Sequence, residues 1–415
     1  MRLQRRALTL LLILTASTVL SPVAWAGDKY KVLYNFRAGS KGGPPIAAPT
    51  LDPNGDLYGP AAGGTGNSVY CSGPCGVVFK MTRGADGKWK ETVALNFSTY
   101  FNDGVPDSSL IFDGQGNLYG SASLPSVPTD NWIYQLTPGA SGWGFNLIYQ
   151  GYGPDVGGVV ADGAGNLYGE LGKGVDYLGA VGELSPSPSG WLYSDLHNFC
   201  DQYGRCPDGE APRAPFSWDS QGNLYGADYA GGIPRAGTYG LGVAFQMTPN
   251  GDSTWKYHVL HRFGSSANDG TNPWGGLVVD AAGNVYGTTY EGGRYGHGTI
   301  FKLAQVEGKW KETRLYGFPS LSLGGYPWGN LVFDQSGNLY GVANGGNVCG
   351  AYFCGEVFKL TPQPNGKWKY SVLHSFQGPD GAYPYGVVID GKGNLFGTAW
   401  GGGTYNYGVV FEITP

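Results

Sequence analysis

The octapeptide DAAGNVYG occupies residues 280–287 of this 415-residue chain, and close variants of it occur six more times. All seven copies follow the pattern D-x-x-G-[N/D]-[L/V]-[Y/F]-G. They begin at Asp52, Asp113, Asp162, Asp219, Asp280, Asp334 and Asp390. Successive copies begin between 49 and 61 residues apart. A period of this length is typical of propellers and solenoids, in which each repeat is one supersecondary unit.

Other segments recur in phase with the octapeptide. An apolar run precedes it, as in GGLVVD ending at Asp280, and a strand such as GTIFKLA from Gly298 follows after a loop. A turn then leads to an alternating strand such as WKETRLYGF from Trp310. Each repeat therefore predicts four short strands. The octapeptide itself predicts the first hairpin, with aspartate starting the turn and glycine in the left-handed position of a G1 bulge.

The two ends of the chain carry complementary parts of one repeat. YKVLYNF from Tyr30 matches a fourth strand, and GVVFEIT from Gly408 matches a third strand. Pairing these segments would close a ring and remove the exposed sheet edges that favour aggregation. We therefore predict an all-β fold, a seven-bladed β-propeller of four-stranded antiparallel blades with a three-plus-one closing blade. We expect residues 27–415 to form this propeller as one domain.

Residues 1–26 have the features of a cleavable signal peptide. Three arginines (Arg2, Arg5 and Arg6) precede an apolar run at residues 7–19, and Ala24-Trp25-Ala26 fits the cleavage site. No cysteine follows the site to accept a lipid, and no second apolar run occurs. We expect a secreted or periplasmic protein with no membrane span or anchor in the mature chain.

The charge pattern argues against a nucleic-acid partner. Without residues 1–26, which hold three arginines and no acid, 23 basic side chains face 31 acidic ones, a net charge of −8. No run of lysine or arginine occurs, whereas polynucleotide binding relies on clustered positive charge. The sequence also lacks the G-x-S-x-G, HExxH and phosphate-loop patterns. We expect no cofactor, no metal and a monomer.

The segment GNVYGTTYEGGRYGHGTIFKLA from Gly283 resembles the Gloeo/Verruco (GloVer) tandem repeat of exported bacterial proteins. The resemblance extends over essentially the whole chain after the leader and is clearest in the repeats at Asp280, Asp334 and Asp390. The repeats at Asp113 and Asp162 depart from it, since they lack the Gly-Gly pair after the octapeptide. The resemblance implies a propeller-like fold and export, and it supplies no activity.

All six cysteines fall in the connections that join strand two to strand three or strand four to the next blade. These connections lie on one face of a propeller, here called the loop face. Close pairs in an exported chain predict local disulfides, and no pair has a companion pair or histidine at zinc-ligand spacing. The predicted disulfides are Cys71–Cys75, Cys200–Cys206 and Cys349–Cys354.

Aromatic residues crowd the same connections, most densely in the last three repeats. Such rings stack on sugars or anchor a protein partner, although they also cap the cores between blades. The candidate ligand-binding residues are Trp274, Tyr290, Tyr295, Trp328, Tyr385, Trp400 and Tyr405. The leading interpretation is a non-catalytic binding propeller whose ligand is a glycan or another exported protein.

Four carboxylates support an alternative interpretation. Near the loop face, where other repeats carry neutral residues, the sequence has Asp107, Asp155, Glu170 and Asp228. Two of them about 5–10 Å apart would suit a carbohydrate-active or lactone-active hydrolase or lyase. The leading interpretation assigns no catalytic residue. A third interpretation, a structural envelope protein, predicts no concave pocket.

Overall fold

The computed structural model describes residues 29–39, 41–63, 75–100, 104–124, 127–152, 157–172, 174, 178–200, 206–212, 214–232, 240–349 and 352–414. The leader predicted for residues 1–26 lies outside these ranges. Among the residues inside them, no helix is long and apolar enough to cross a membrane.

The strands of the first three blades follow one another along the chain. The first strand is β1 (Lys29–Asn35). Blade 1 contains β2 (Thr50–Leu51), β3 (Leu57–Ala61), β4 (Val77–Arg83) and β5 (Trp89–Asn96). One helical turn, α1 (Phe97–Tyr100), leads to blade 2. Blade 2 contains β6 (Val105–Pro106), β7 (Ile111–Phe112), β8 (Leu118–Leu124), β9 (Val127–Gly139) and β10 (Gly142–Tyr152). Blade 3 contains β11 (Val159–Ala161), β12 (Leu167–Gly172), β13 (Ala180–Ser187) and β14 (Gly190–Asn198).

The remaining blades repeat this order, with small accessory strands in blades 5 and 6. Blade 4 contains β15 (Glu210–Pro212), β16 (Ser217–Trp218), β17 (Leu224–Ala230), β18 (Val243–Pro249) and β19 (Trp255–Arg262). Blade 5 contains β20 (Gly270–Thr271), β21 (Val278–Val279), β22 (Val285–Thr289), β23 (Glu291–Gly292), β24 (Thr299–Val306) and β25 (Lys309–Gly317). Blade 6 contains β26 (Pro327–Phe333), β27 (Leu339–Ala343), β28 (Val348–Cys349), β29 (Tyr352–Phe353), β30 (Glu356–Pro362) and β31 (Trp368–Ser375). Blade 7 contains β32 (Ala382–Ile389), β33 (Leu395–Gly401) and β34 (Val409–Thr414).

The sheet order confirms the seven-bladed propeller. In every blade the strands pair antiparallel in chain order, so the first strand is innermost and the fourth is outermost. Blade 7 lacks a fourth strand of its own, and β1 fills that place by pairing with β34. Lys29 lies opposite Thr414 and Asn35 lies opposite Val409. The three-plus-one closure is therefore present as predicted.

The octapeptide forms the predicted hairpin turn between the first and second strands. In blade 5, Oδ1 of Asp280 accepts hydrogen bonds from the backbone N–H groups of Ala282 and Asn284, both at 2.9 Å. Its Oδ2 accepts from the side-chain amide of Asn284 at 2.7 Å and from the hydroxyl of Tyr286 at 3.0 Å. Gly283 has φ of +77°, the left-handed conformation that the G1 bulge needs.

The core lies between neighbouring blades. One buried cluster joins Tyr286 and Ile300 of blade 5 to Leu331 and Phe358 of blade 6. Six further clusters bridge or fill the other blades in the described part of the chain. The last glycine of the octapeptide makes this packing possible, because a Cβ on Gly287 would lie 2.7 Å from Cζ of Phe301.

The outer strands are linked from one blade to the next by histidine and tyrosine side chains. Nε2 of His374 lies 2.9 Å from a carboxylate oxygen of Asp380, and the ring of Tyr30 stacks on His374 at 3.6 Å between centroids. In blade 3, His197 pairs with Asp208 at 3.0 Å and stacks under a tyrosine of blade 4 at 3.9 Å. These histidines are therefore framework residues at the outer edge, far from the propeller axis.

Candidate functional site

A cavity of about 420 Å³ opens where the seven innermost strands begin. Its volume falls within the roughly 300–1,000 Å³ typical of small-molecule sites. Every blade contributes a lining residue. In chain order these include Ile46, Asp107, Gly157, Ala214, Trp274, Trp328 and Tyr385. Because all seven blades contact it, this channel cavity lies on the propeller axis at the loop face.

The aromatic lining residues are positioned by a proline-containing entry to the first strand. In blade 6, Pro327 packs closely against Gly298 of the preceding blade. A Cβ added to Gly298 would lie 2.7 Å from Cδ of Pro327. The residue before it, Tyr326, has φ of +51°, and equivalent positive values occur at Asn272 and Tyr383. The backbone N–H of Tyr326 donates to the carbonyl of His297 at 2.9 Å, which holds this conformation. Left-handed non-glycine residues are rare and cluster at functional sites.

The aromatic side chains form a continuous row across blades 4 to 7, here called the aromatic arc. It consists of Tyr229, Trp274, Tyr290, Tyr326, Trp328 and Tyr385. Trp274 and Trp328 stack at 4.4 Å between centroids, and Trp328 meets Tyr385 edge-on at 6.3 Å. Tyr229 packs edge-on against Trp274 at 5.0 Å.

A second layer of the arc supports the two tryptophans from outside. Tyr290 lies 5.8 Å from Trp274 and 5.9 Å from Trp328 between ring centroids. It also stacks on Tyr326 at 4.7 Å. Burial raises the pKa of Tyr290, and burial also raises the pKa of Tyr385. Both hydroxyl groups therefore stay protonated at neutral pH and can act as hydrogen-bond donors.

A smaller cavity of about 180 Å³ lies beside the channel cavity in blades 6 and 7. This rim pocket is lined by Trp328, Asn344, Tyr383, Pro384, Tyr385 and Trp400. Trp328 and Tyr385 therefore form a wall shared by both cavities. Oδ1 of Asn344 is buried and accepts no hydrogen bond from the residues that the structure describes. A buried acceptor of this kind is costly unless a partner or water satisfies it.

The side of the channel cavity contributed by blade 2 is polar. Asp107, Ser108 and Ser109 line it there, and Asn330 adds an amide from blade 6. The hydroxyl of Ser121 donates to Asp107 and lies 2.6 Å from the hydroxyl of Ser108. The cavity thus combines aromatic faces on one side with hydroxyl, amide and carboxylate groups on the other.

Five of the seven predicted ligand-binding residues come together at these two cavities. They are Trp274, Tyr290, Trp328, Tyr385 and Trp400, with Tyr290 in the supporting layer. Tyr295 and Tyr405 are on the loop face but line neither cavity. The ring of Tyr295 lies under Arg294, and that of Tyr405 lies under Arg37.

The candidate acids do not converge on one cavity. Asp107 lines the channel cavity, whereas Glu170 in β12 and Asp228 in β17 are buried and line neither cavity. Burial, with the negative charges of Asp208 and Glu210, raises the pKa of Asp228 well above its usual range. Asp155 lies outside the described residues. Of the four candidate acids, Asp107, Glu170 and Asp228 are described, and Asp107 alone of these three lines the channel cavity.

The cysteines form disulfides on the loop face. Cys200 is bonded to Cys206 and Cys349 to Cys354, with Cα–Cα distances of 4.3 and 5.3 Å. Cys75 is also disulfide-bonded, and its predicted partner Cys71 lies outside the described residues. Glu210 lies close to the first of these pairs, but the bonded sulfurs offer no thiolate to a metal.

Sequence reasoning missed several residues of the site, among them Tyr229, Asn330, Asn344 and the two serines Ser108 and Ser109. Tyr229 and Asn344 follow the last glycine of the octapeptide by three positions, as do Tyr290 and Trp400. Aligning the repeats at that position would have identified both. No such sequence signal marks Asn330. Its side-chain oxygen accepts a hydrogen bond from the backbone N–H of Gly276 in the neighbouring blade at 2.6 Å, so its position depends on the assembled ring.

The opposite face has grooves of similar volume that are part of the repeat framework. One of about 450 Å³ lies between blades 5 and 6 and is lined by Asp280, Tyr286, Phe333 and Trp368 among others. These positions carry the octapeptide and its strand-four tryptophan, which recur from blade to blade. The channel cavity is built instead from positions at which the repeats differ. It is therefore the stronger candidate site.

Comparison with known families supports the repeat assignment. Residues 233–415 match the sequence profile of the Gloeobacter/Verrucomicrobia repeat. The resemblance predicted from the sequence is therefore confirmed over these residues, which include blades 5 to 7. No curated protein matches the chain.

Solved structures of distant proteins align with most of the chain. A fungal alcohol oxidase in complex with copper aligns with a TM-score of 0.55 at 14% identity, covering 94% of this chain and 76% of that one. A luciferin-regenerating enzyme aligns with a TM-score of 0.44 at 13% identity, covering 94% and 96%. A sialidase of Trypanosoma rangeli in complex with the inhibitor DANA aligns with 0.46 at 10% identity, covering 93% and 59%. At 14% identity, the likeness to the fungal alcohol oxidase concerns the fold alone.

Proposed function

We propose that this protein is an exported, non-catalytic binding propeller that recognises a glycan at the mouth of its channel. The observation that carries the proposal is the aromatic arc beside a polar wall in one axial cavity. Sugars present apolar C–H faces that stack on aromatic rings and hydroxyl groups that bond to amides, hydroxyls and carboxylates. The framework groove between blades 5 and 6 also combines rings with polar groups. The channel cavity differs from it because residues of all seven blades line it.

The charge of the cavity favours a neutral glycan. Among its described lining residues, Asp107 carries a carboxyl group and no lysine or arginine is present. An acidic sugar would bring a negative charge into a partly desolvated cavity without a cation among these residues to oppose it, which is unfavourable. Neutral oligosaccharides are therefore the first ligands to test, with uronic-acid oligomers as the comparison.

Binding of the disulfide-intact chain from Gly27 to neutral and acidic oligosaccharides tests the proposal. We expect saturable binding of a neutral series that Trp328→Ala weakens at least about tenfold, because central aromatic anchors dominate such sites. Isothermal titration calorimetry gives the affinity, and analysis of the recovered sugars shows whether any bond was cleaved. The expected result is binding without cleavage.

Trp368→Ala is the matched control. It removes a tryptophan from the same blade, but at the opposite face, where the ring packs 6.0 Å from Tyr286. It should lower stability while leaving sugar affinity unchanged. If Trp328→Ala and Trp368→Ala lost sugar binding equally, the loss would be due to impaired folding, and the result would count against a site at the channel mouth. Cleavage of the bound sugar would replace the non-catalytic assignment with an enzymatic one.

A further inference from the structure

The channel cavity and the rim pocket form two adjoining compartments. The side chains of Trp328 and Tyr385 line both of them. Each compartment has its own aromatic surface, with Trp274 on the channel side and Trp400 on the rim side. A ligand with one ring fills one compartment, whereas a chain of rings can cross the shared wall and fill both.

The two compartments differ in which blades line them. Residues of all seven blades surround the channel cavity on the propeller axis, whereas residues of blades 6 and 7 line the rim pocket. Trp400, which lines the rim pocket, is 46% exposed. A chain can therefore enter the channel cavity by an end and leave over the rim pocket.

Polar chemistry also divides between the compartments. The channel cavity offers Ser108, Ser109 and Asn330 as hydrogen-bonding partners for the hydroxyls of a terminal ring. The rim pocket is lined by Asn344, whose side chain carries an amide that can bond to a hydroxyl of the next ring.

We propose that the site binds the end of a linear neutral oligosaccharide, with the terminal ring in the channel cavity and the following ring in the rim pocket. This inference rests on the proposed glycan binding and adds the form of ligand and the direction in which it lies. The Trp328–Tyr385 wall separates the two rings, and Trp400 stacks against the second.

Length dependence is the direct test. Malto-, cello- and xylo-oligosaccharides of one to six units are titrated into the disulfide-intact chain from Gly27. For the series that binds, affinity should rise about three- to tenfold once the second ring is present, the increment expected of one stacked ring. Longer chains should add little. Trp400→Ala should reduce the affinity for long chains to that for a single ring and leave the single ring unaffected.

Tyr405→Ala is the matched control for Trp400→Ala. Tyr405 follows Trp400 in the chain, in the loop between β33 and β34, and is 40% exposed, but it lines neither compartment. It should leave the affinity for every chain length unchanged. End-on binding makes a further prediction for competition experiments. At equal mass, a polysaccharide and its hydrolysate should each displace a bound oligosaccharide in proportion to the number of chain ends that they supply.

The outcomes separate this inference from the function on which it rests. Binding that is weakened by Trp328→Ala but is equal for all chain lengths would overturn the two-ring inference and leave glycan binding in place. A length effect that survives Trp400→Ala would also overturn it. Absence of binding for every series would reject the proposed function, and the two-ring inference with it.

Discussion

At the scale of single residues, the aspartate of the octapeptide is a turn anchor. Its two carboxylate oxygens accept up to four hydrogen bonds from the turn and from the second strand, as at Asp280. Burial works to raise the pKa of Asp280, but these hydrogen bonds outweigh it and hold the pKa below its ordinary value. The carboxylate is thus committed to the fold, which explains why it recurs in every blade.

A buried glutamate makes an opposite, pH-dependent contribution. Burial raises the pKa of Glu356 to about 7 from an ordinary 4.5, although Tyr370 donates a hydrogen bond to it at 2.5 Å. Between these two pH values the folded chain holds a proton that the unfolded chain releases. The stabilisation is therefore present below pH 4.5 and is lost as pH rises through 7.

Glu356→Gln removes this titration while keeping an acceptor for Tyr370. We expect the variant to match the parent near pH 4.5 and to be more stable by about 2–3 kcal/mol at pH 8, since one pKa unit corresponds to about 1.4 kcal/mol. Denaturant unfolding at the two pH values measures the difference. Glu307→Gln, in an exposed turn, is the control and should show no such pH dependence. Equal stability of Glu356→Gln and the parent at pH 8 would contradict the account.

Residue-level prediction succeeded where a residue repeats and failed where its role depends on the fold. The turn of the octapeptide was predictable because Asp and Gly act within a few residues of each other. The role of Asn344 was not, because its oxygen is buried only when blades 6 and 7 come together. Tyr405 was predicted as a ligand-binding residue from its sequence neighbours, and in the structure its ring lies under Arg37 and lines neither cavity.

At the scale of elements, β1 is the strand on which ring closure depends. It pairs with β34 through six register positions, and its ring at Tyr30 packs on the blade 7 core. The hydroxyl of Tyr30 donates to the carbonyl of Asp380 at 2.5 Å. In contrast to the fourth strands of the other blades, β1 is not joined to its neighbour by a hairpin. Its backbone pairing with β34 and its side-chain contacts hold it in register without a covalent turn.

Two equivalent tyrosines allow the closure to be tested. Tyr30 stacks on His374, and Tyr257 of β19 stacks on His197 and donates to the carbonyl of Asp208. We expect both Tyr→Ala variants to lose stability, by about 2–4 kcal/mol for truncating a large packed ring. Only Tyr30→Ala should detach its strand, because β19 remains tied to β18 by a hairpin.

Hydrogen exchange monitored by mass spectrometry distinguishes the two variants. In Tyr30→Ala, the amides of β34 should exchange well before the rest of the propeller, as expected for a local opening. In Tyr257→Ala, the amides of β18 should keep their protection relative to neighbouring strands. If the amides of β18 and β34 showed the same increase in exchange, the pairing of β1 with β34 would be no weaker than the pairing of β19 with β18, and the account would be contradicted.

Elements were predictable to the extent that they follow the repeat. The three-plus-one closure followed from the matching ends of the chain, and β1 and β34 pair as expected. The accessory strands β20 and β23, and the hairpin of β28 and β29, lie in connections that differ between blades. No periodic pattern marks them, because their pairing depends on loops that the seven-fold repeat does not share.

At the scale of the whole molecule, the ring of blades is regular at its outer edge and irregular at its axis. The octapeptide side and the outer strands repeat the same contacts, whereas the axial cavity has aromatic residues from blades 5 to 7 and polar residues from blade 2. A scaffold of this kind allows one face to specialise while the framework is kept. The sequence predicted the aromatic side of the cavity, and its position on the axis emerged only from the assembled ring.

The most direct test of the central claim is a crystal structure of the chain with the oligosaccharide that binds most tightly. The account predicts a sugar ring in the channel cavity against Trp274 and Trp328, with the chain continuing over Tyr385 toward Trp400. Sugar bound in the framework groove beside Trp368 on the opposite face would contradict it. So would a sugar on the loop face that leaves both the channel cavity and the rim pocket empty.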